Sequence, residues 1–86
     1  MNHNINWWWL SYSDEEKGFL GAAIVIAPSF LDACIISTKS EISPRGEVLG
    51  GYINSSAKKK ITLFDTMRLL NKKEATELTR IIDENN

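Results

Sequence analysis

The stretch Gly18–Ser29, GFLGAAIVIAPS, limits the folds open to this chain more than any other. From Phe19 to Ala27 it holds no charged or polar side chain. A membrane-spanning helix needs roughly 20 such residues, so the run is too short to cross a bilayer. The β-branched Ile24, Val25 and Ile26 favour a strand. Gly21 would weaken a helix, and Pro28 ends the run with a residue that cannot donate to a ladder. A strand apolar on both sides needs cover on both sides, from helices or from a partner chain. We read it as the central strand of a sheet, feeding the first helix.

The aromatic segment Ile5–Tyr12, INWWWLSY, also has strand composition. Alternation places Ile5, Trp7, Trp9 and Ser11 on one face and Asn6, Trp8, Leu10 and Tyr12 on the other. Ser13–Lys17 is a polar connection and Gly18 supplies turn freedom, which predicts an antiparallel hairpin. Residues 1–4 read as a frayed lead-in.

Ser29 and Asp32 form a capping-box-like start to the first helix. Helical spacing places Leu31, Cys34, Ile35, Thr38 and Ile42 on its inner stripe, and the helix must stop before Ser43-Pro44. Glu47–Ile53 reads as a third strand. Its paired Gly50 and Gly51 signal a bulge, or a close approach by another backbone or a ligand. Residues 54–60 (NSSAKKK) read as a linker. Thr62 opens a short helix through Leu70, and Asn71 with Glu74 caps a last helix whose inner stripe is Ala75, Leu78 and Ile82.

The expected order is β-β-α-β-α-α in one α+β domain of 86 residues. Its three-stranded sheet carries helices on one face. The other face, bearing tryptophans, would then be a large apolar patch, and such patches mark association surfaces. A homodimer or higher oligomer follows, with sheet faces or edges meeting.

Several function classes recede on composition. The formal net charge is −1, so no basic field recruits nucleic acid. Cys34 is the only cysteine and cannot form an internal disulfide, which suits a reducing, cytoplasmic setting. No secretory signal is visible. His3 is the only histidine and lacks metal-ligand spacing. Cys34 reads as a small core residue without the base that a nucleophile needs. No glycine-rich phosphate loop is present. We therefore expect no catalysis, no cofactor and no metal.

Binding is the remaining class. Trp7, Trp8 and Trp9 build either core and oligomer interface or a stacking platform; base–aromatic stacking is worth roughly 1–3 kcal/mol per base. Arg45, Gly46 and Glu47 lie at a turn where an arginine can fork onto phosphate or carboxylate, with Gly46 letting backbone N–H groups approach an anion. The plain alternative is an exposed turn. Lys59, within the run Lys58–Lys60, joins Arg68 as a third candidate for holding phosphate, against the plain reading of a solvated loop.

These segments also resemble a known group. W-L-S-Y-S-D (Trp9–Asp14), F-L-G-x-x-I-V-x-A-P, S-P-R-G-E-V-x-G and R-L-L-N-K-K-E-A-T-E-L look like the pattern of a family of small uncharacterised bacterial and phage proteins. That family shows W-x-S-F-x-D, F-L-G-x-x-I-V, a G-I-N-P-G-G-E-V-like turn and a closing R-L-L-x-x-E-E-A. The resemblance runs from Trp8 to about Thr79. It departs at residues 41–45, where Glu-Ile-Ser-Pro-Arg replaces Gly-Ile-Asn-Pro-Gly, and at Lys58–Lys60, where the family is proline-rich. It implies the same fold and a bacterial or phage setting, hence host-cell cytoplasm if phage-encoded, and supplies no activity. Three readings follow: a sponge that sequesters a nucleotide immune signal, an inhibitor that masks a host defence complex, or a purely structural oligomer.

Overall fold

The computed structural model describes residues 5–85; the lead-in at 1–4, with His3, lies outside them. The strands are β1 (Asn6–Asp14), β2 (Gly18–Ala27) and β3 (Glu47–Tyr52). The helices are α1 (Phe30–Lys39), α2 (Ser55–Lys58) and α3 (Lys72–Glu84), with a 3₁₀ turn at Leu63–Asp65. The order and the three-stranded α+β architecture agree with the sequence-based expectation. No helix among the described residues is long and apolar enough to cross a membrane.

The sheet order is β2-β1-β3, all antiparallel, so the aromatic strand β1 is central. The expectation of a central β2 is corrected. Its apolar character comes from burial on both faces and from protection of its outer edge. There, the bent segment 66–70 passes beside it, with Met67 in the left-handed region (φ 59°) and Leu70 in a β-bridge with Ala22. Met67 N–H donates to the Ile24 carbonyl (2.8 Å), Leu70 N–H to the Ala22 carbonyl (2.7 Å) and Ala22 N–H to the Leu70 carbonyl (3.2 Å). The helix expected over 62–70 therefore shrinks to one 3₁₀ turn. Backbone groups beyond it are drawn into pairing with β2, which satisfies donors that would otherwise be buried unpaired.

Helices cover both faces, not one. On one side Trp7 and Ile24 pack with Ile53, Ala57 of α2, Ile61, Leu70 and Leu78 of α3, while Trp9, Ile26, Ile81 and Ile82 close around them. On the other, Leu10, Tyr12, Ala23, Val25 and Ala27 pack against Ala33 of α1 and Ile42, flanked by Trp8, Phe30, Cys34, Ile36 and Val48. Complete burial of a side chain such as Leu10 or Ile24 contributes about 1.5–3 kcal/mol. The bare tryptophan face inferred from the sequence is thus covered by the chain's own helices, and that ground for an oligomer falls away.

Two local readings also change. The buried stripe of α1 is Ala33 and Ser37, while Leu31 and Ile35 face solvent. The small pair lets α1 sit close on the sheet, a preference that apolar spacing alone does not reveal. The linker at 54–60 holds a helical turn: the Asn54 side chain caps it at Ala57 N–H (2.9 Å), and Ala57 is fully buried. The caps of the long helices hold as expected. Ser29 Oγ accepts from Asp32 N–H (3.1 Å), and Asn71 and Glu74 make a complete capping box.

Gly50 resolves the glycine pair. A Cβ there would strike the Trp9 carbonyl of β1, whereas one at Gly51 meets nothing within 4 Å. The close approach is by a neighbouring strand. Gly50→Ala should cost about 1–3 kcal/mol in urea unfolding, and Gly51→Ala should stay within about 0.5 kcal/mol of the parent. Equal stability of the two variants would contradict this packing.

Candidate functional site

Polar groups from several elements converge on a half-open cleft of about 470 Å³. Tyr12 of β1 and Val48 of β3 line it from the sheet, and Cys34, Ser37 and Thr38 from α1. Glu41, Ser43, Arg45 and Gly46 line it from the connection between α1 and β3.

That connection is tied down at its start. The Ser37 carbonyl accepts from the N–H groups of both Ile42 (2.9 Å) and Ser43 (3.0 Å), and Ser43 Oγ accepts from Arg45 N–H (3.1 Å). Glu41 (φ 58°) and Arg45 (φ 74°) adopt the left-handed region. Such backbone costs about 1–3 kcal/mol per non-glycine residue and gathers where surrounding structure, or function, over-determines it. Gly46 (φ 87°) is needed for a different reason from the anion approach expected of it. A Cβ there would strike the Ser13 carbonyl and lie 2.9 Å from Leu20 Cδ1.

The hydroxyls divide by role. Ser37 and Thr38 each donate to the Cys34 carbonyl (2.9 and 3.1 Å). Their oxygens therefore offer lone pairs. Ser43, which accepts from Arg45, keeps its O–H to give. At the floor, Tyr12 is 3% exposed and its Oη has no hydrogen-bond partner. Leaving such a group unsatisfied costs about 1–3 kcal/mol. Burial pushes the Tyr12 phenol above its ordinary range; the Ser37 and Ser43 hydroxyls pull against that rise, although neither meets bonding geometry with Oη. Burial also pushes the Cys34 thiol up, away from the thiolate a nucleophile needs. Arg45 is exposed at the rim, and among the described residues it makes no ion pair.

The other predicted site residues scatter. Trp7 is buried under Lys58, whose Nζ lies 5.6 Å from the ring centre. Trp8 lies on the opposite face, its Nε1–H donating to the Ala27 carbonyl (2.9 Å) and its ring meeting Phe30 and Tyr52 edge-on. Trp9 walls a shallow hollow with Phe19, Lys72 and Thr76. The three rings therefore form no common platform, because neighbours on a strand point to opposite sides.

Glu47 joins Asp14, Glu15 and Glu16 around an acidic hollow. Lys59 is exposed and ends α2. Arg68 is occupied: it meets Glu74 (2.8 Å) and Asp65 (3.5 Å), donates to the Phe64 carbonyl (2.9 Å) and lies over the Phe64 ring. It organises the entry to α3 and has little left for a phosphate. Its hydrogen bond also holds the Glu74 carboxyl below the usual range.

Of the predicted residues, Arg45 and Gly46 reach the cleft. Tyr12, Ser37, Thr38, Glu41 and Ser43 were not anticipated. The available signals were a serine on the core side of an apolar helix and a hydroxyl at the end of an aromatic strand. Among the described residues no group of three or more His, Cys, Asp or Glu side chains could share a metal ion. No family model, curated protein or solved structure matches the chain.

A phenol with a raised pKa adds stability that is complete below the ordinary tyrosine value and is lost as pH rises through the folded one. Stability should therefore fall on the alkaline side. Tyr12→Phe should remove that part of the slope and leave neutral-pH stability unchanged or slightly higher, measured by urea unfolding across alkaline pH. An unaltered slope would show that the phenol is not held as described.

Proposed function

We propose that the protein is a non-catalytic binding protein that holds a small nucleotide-type anion in the Tyr12–Arg45 cleft. The observation that carries this is the pairing of an orphaned, buried phenol with an unengaged guanidinium on one cavity. Arg45 supplies a fork for a phosphate, and Tyr12 and Ser43 supply hydroxyl donors. Glu41, Ser37 and Thr38 supply acceptors for the hydroxyl or amino groups at a ligand's other end. A single positive charge opposite a single negative one suits a ligand with one anionic end and a donor-rich remainder, as in a nucleoside monophosphate. The volume lies in the range of small-molecule sites. Sequestration needs affinity and no turnover, so in the bacterial or phage setting implied by the sequence resemblance this would make the chain a sponge for a nucleotide signal.

A second reading rests on a different observation. Leu63 and Phe64 are 69% and 78% exposed, with Met67 and Leu69 also exposed nearby. Such a patch supports an inhibitor that masks a host protein.

The readings separate in a melting experiment. AMP, cyclic AMP and ADP-ribose should be titrated onto the parent and onto Arg45→Ala. At least one should raise the melting temperature of the parent by linkage, with the shift lost in the variant, whose own melting point is unchanged because Arg45 is exposed. No shift with any of the three would remove the nucleotide reading.

A further inference from the structure

The two edges of the sheet are treated differently. The outer edge of β2 is capped at Ala22 and Ile24 by hydrogen bonds with Leu70 and Met67. Among the described residues β3 has no neighbour beyond β1. Its blunting is slight: the segment Glu47–Tyr52, EVLGGY, holds no lysine and no proline, only the charge of Glu47 at one end, and it exposes Leu49 (70%) and Tyr52 (55%). We infer that β3 pairs with β3 of a second copy, and that the partner's Tyr52 completes the cleft. The second part rests on the nucleotide reading; the first does not.

The ladder fixes which groups of β3 face outward. Ile53 N–H donates to the Trp7 carbonyl (3.0 Å), in line with the pairing of Tyr52 with Trp8 and Leu49 with Ser11. In an antiparallel ladder, alternate residues aim their N–H and C=O groups at the same neighbour. Odd-numbered residues of β3 thus face β1, and Val48, Gly50 and Tyr52 present theirs outward. A twofold axis normal to the sheet pairs those outward residues with one another: Gly50 with the partner's Gly50, and Val48 with the partner's Tyr52. A one-residue shift would oppose inward-facing groups; of the registers the ladder leaves, which lie two residues apart, we take the one centred on Gly50 because it sets Leu49 against the partner's Gly51.

The side chains agree with this register. Leu49 falls opposite the partner's Gly51, the position where a Cβ meets open space. Glu47, the only charge in β3, falls opposite the partner's Ile53, so no like charges meet. A second copy therefore fits this edge in both shape and charge.

The pairing changes the cleft. Val48 is one of its walls. Residues directly opposite in an antiparallel pair stand on the same face, their Cα atoms about 5.5 Å apart in a hydrogen-bonded pair. The partner's Tyr52 thus stands beside Val48 at the cleft. That ring adds a second aromatic surface for a base beside the buried Tyr12. By symmetry each copy completes the other's site.

The test uses the whole chain. Sedimentation at rising concentration should show a dimer. Leu49→Lys should shift it to monomer with the melting temperature of the dilute protein unchanged. In a Cys34→Ser background, the double variant Leu49→Cys/Gly51→Cys should cross-link to a covalent dimer on oxidation, at the distance a disulfide spans. Either single cysteine should cross-link at least tenfold more slowly. A parent that stays monomeric, or single variants that cross-link as fast as the double, would overturn the pairing. AMP titrated onto parent and Leu49→Lys tests the second part. Binding at least tenfold weaker in the monomeric variant supports completion by the partner's Tyr52, and equal binding refutes it. A dimer that takes none of AMP, cyclic AMP and ADP-ribose upholds the strand pairing and overturns completion, together with the nucleotide reading.

Discussion

The fold depends on β1 being held from all sides at once. Its backbone is paired on both edges, and its side chains are packed on both faces. Few strands in a chain of this size are so enclosed, because a small domain has little interior. Here the aromatic side chains make it possible. Each tryptophan or tyrosine carries a large apolar area on one position, so one nine-residue strand can serve two separate cores. The remaining elements then find fixed places: β2 and β3 on its edges, α1 on one face, α2 and α3 on the other.

Much of this was legible in the residues. The hairpin follows from two apolar runs joined by a polar turn, and the caps at Ser29 and Asn71 follow from side chains that satisfy open N–H groups. What escaped notice involves tertiary choice. Residues 66–70 carry helix-compatible side chains, yet backbone groups of Ala22 and Ile24 on the outer edge of β2 draw Met67 and Leu70 into hydrogen bonds with them. α1 turned its small residues inward because the sheet beneath is already full, and Leu31 and Ile35 were left outside. Layering went astray for the same reason. A segment as polar as NSSAKKK gives no outward sign that Ala57 is a core residue.

The candidate cleft was half legible. Arg45 stands out as a cation at a turn, and the sequence alone marks it. The companions that make it a site are ordinary hydroxyl residues from three places in the chain, and only the packing of α1 against β1 and β3 assembles them. The tryptophans show the reverse error. They are conspicuous as a triplet, but strand geometry sends them to opposite sides, and their work is mainly to fill the interior. Composition drew attention to the core, while the chemistry collected where the core ends.

The sealed flank of β2 has a further consequence. A sheet open on both flanks can add copies at either end, and repeated addition yields filaments. With residues 66–70 occupying one flank, this sheet has a single docking side, and joining two such sides leaves none free. Growth by strand addition therefore stops at a closed pair, so an unprotected stretch of backbone with Glu47 as its only charge can be carried without the hazard of runaway polymerisation.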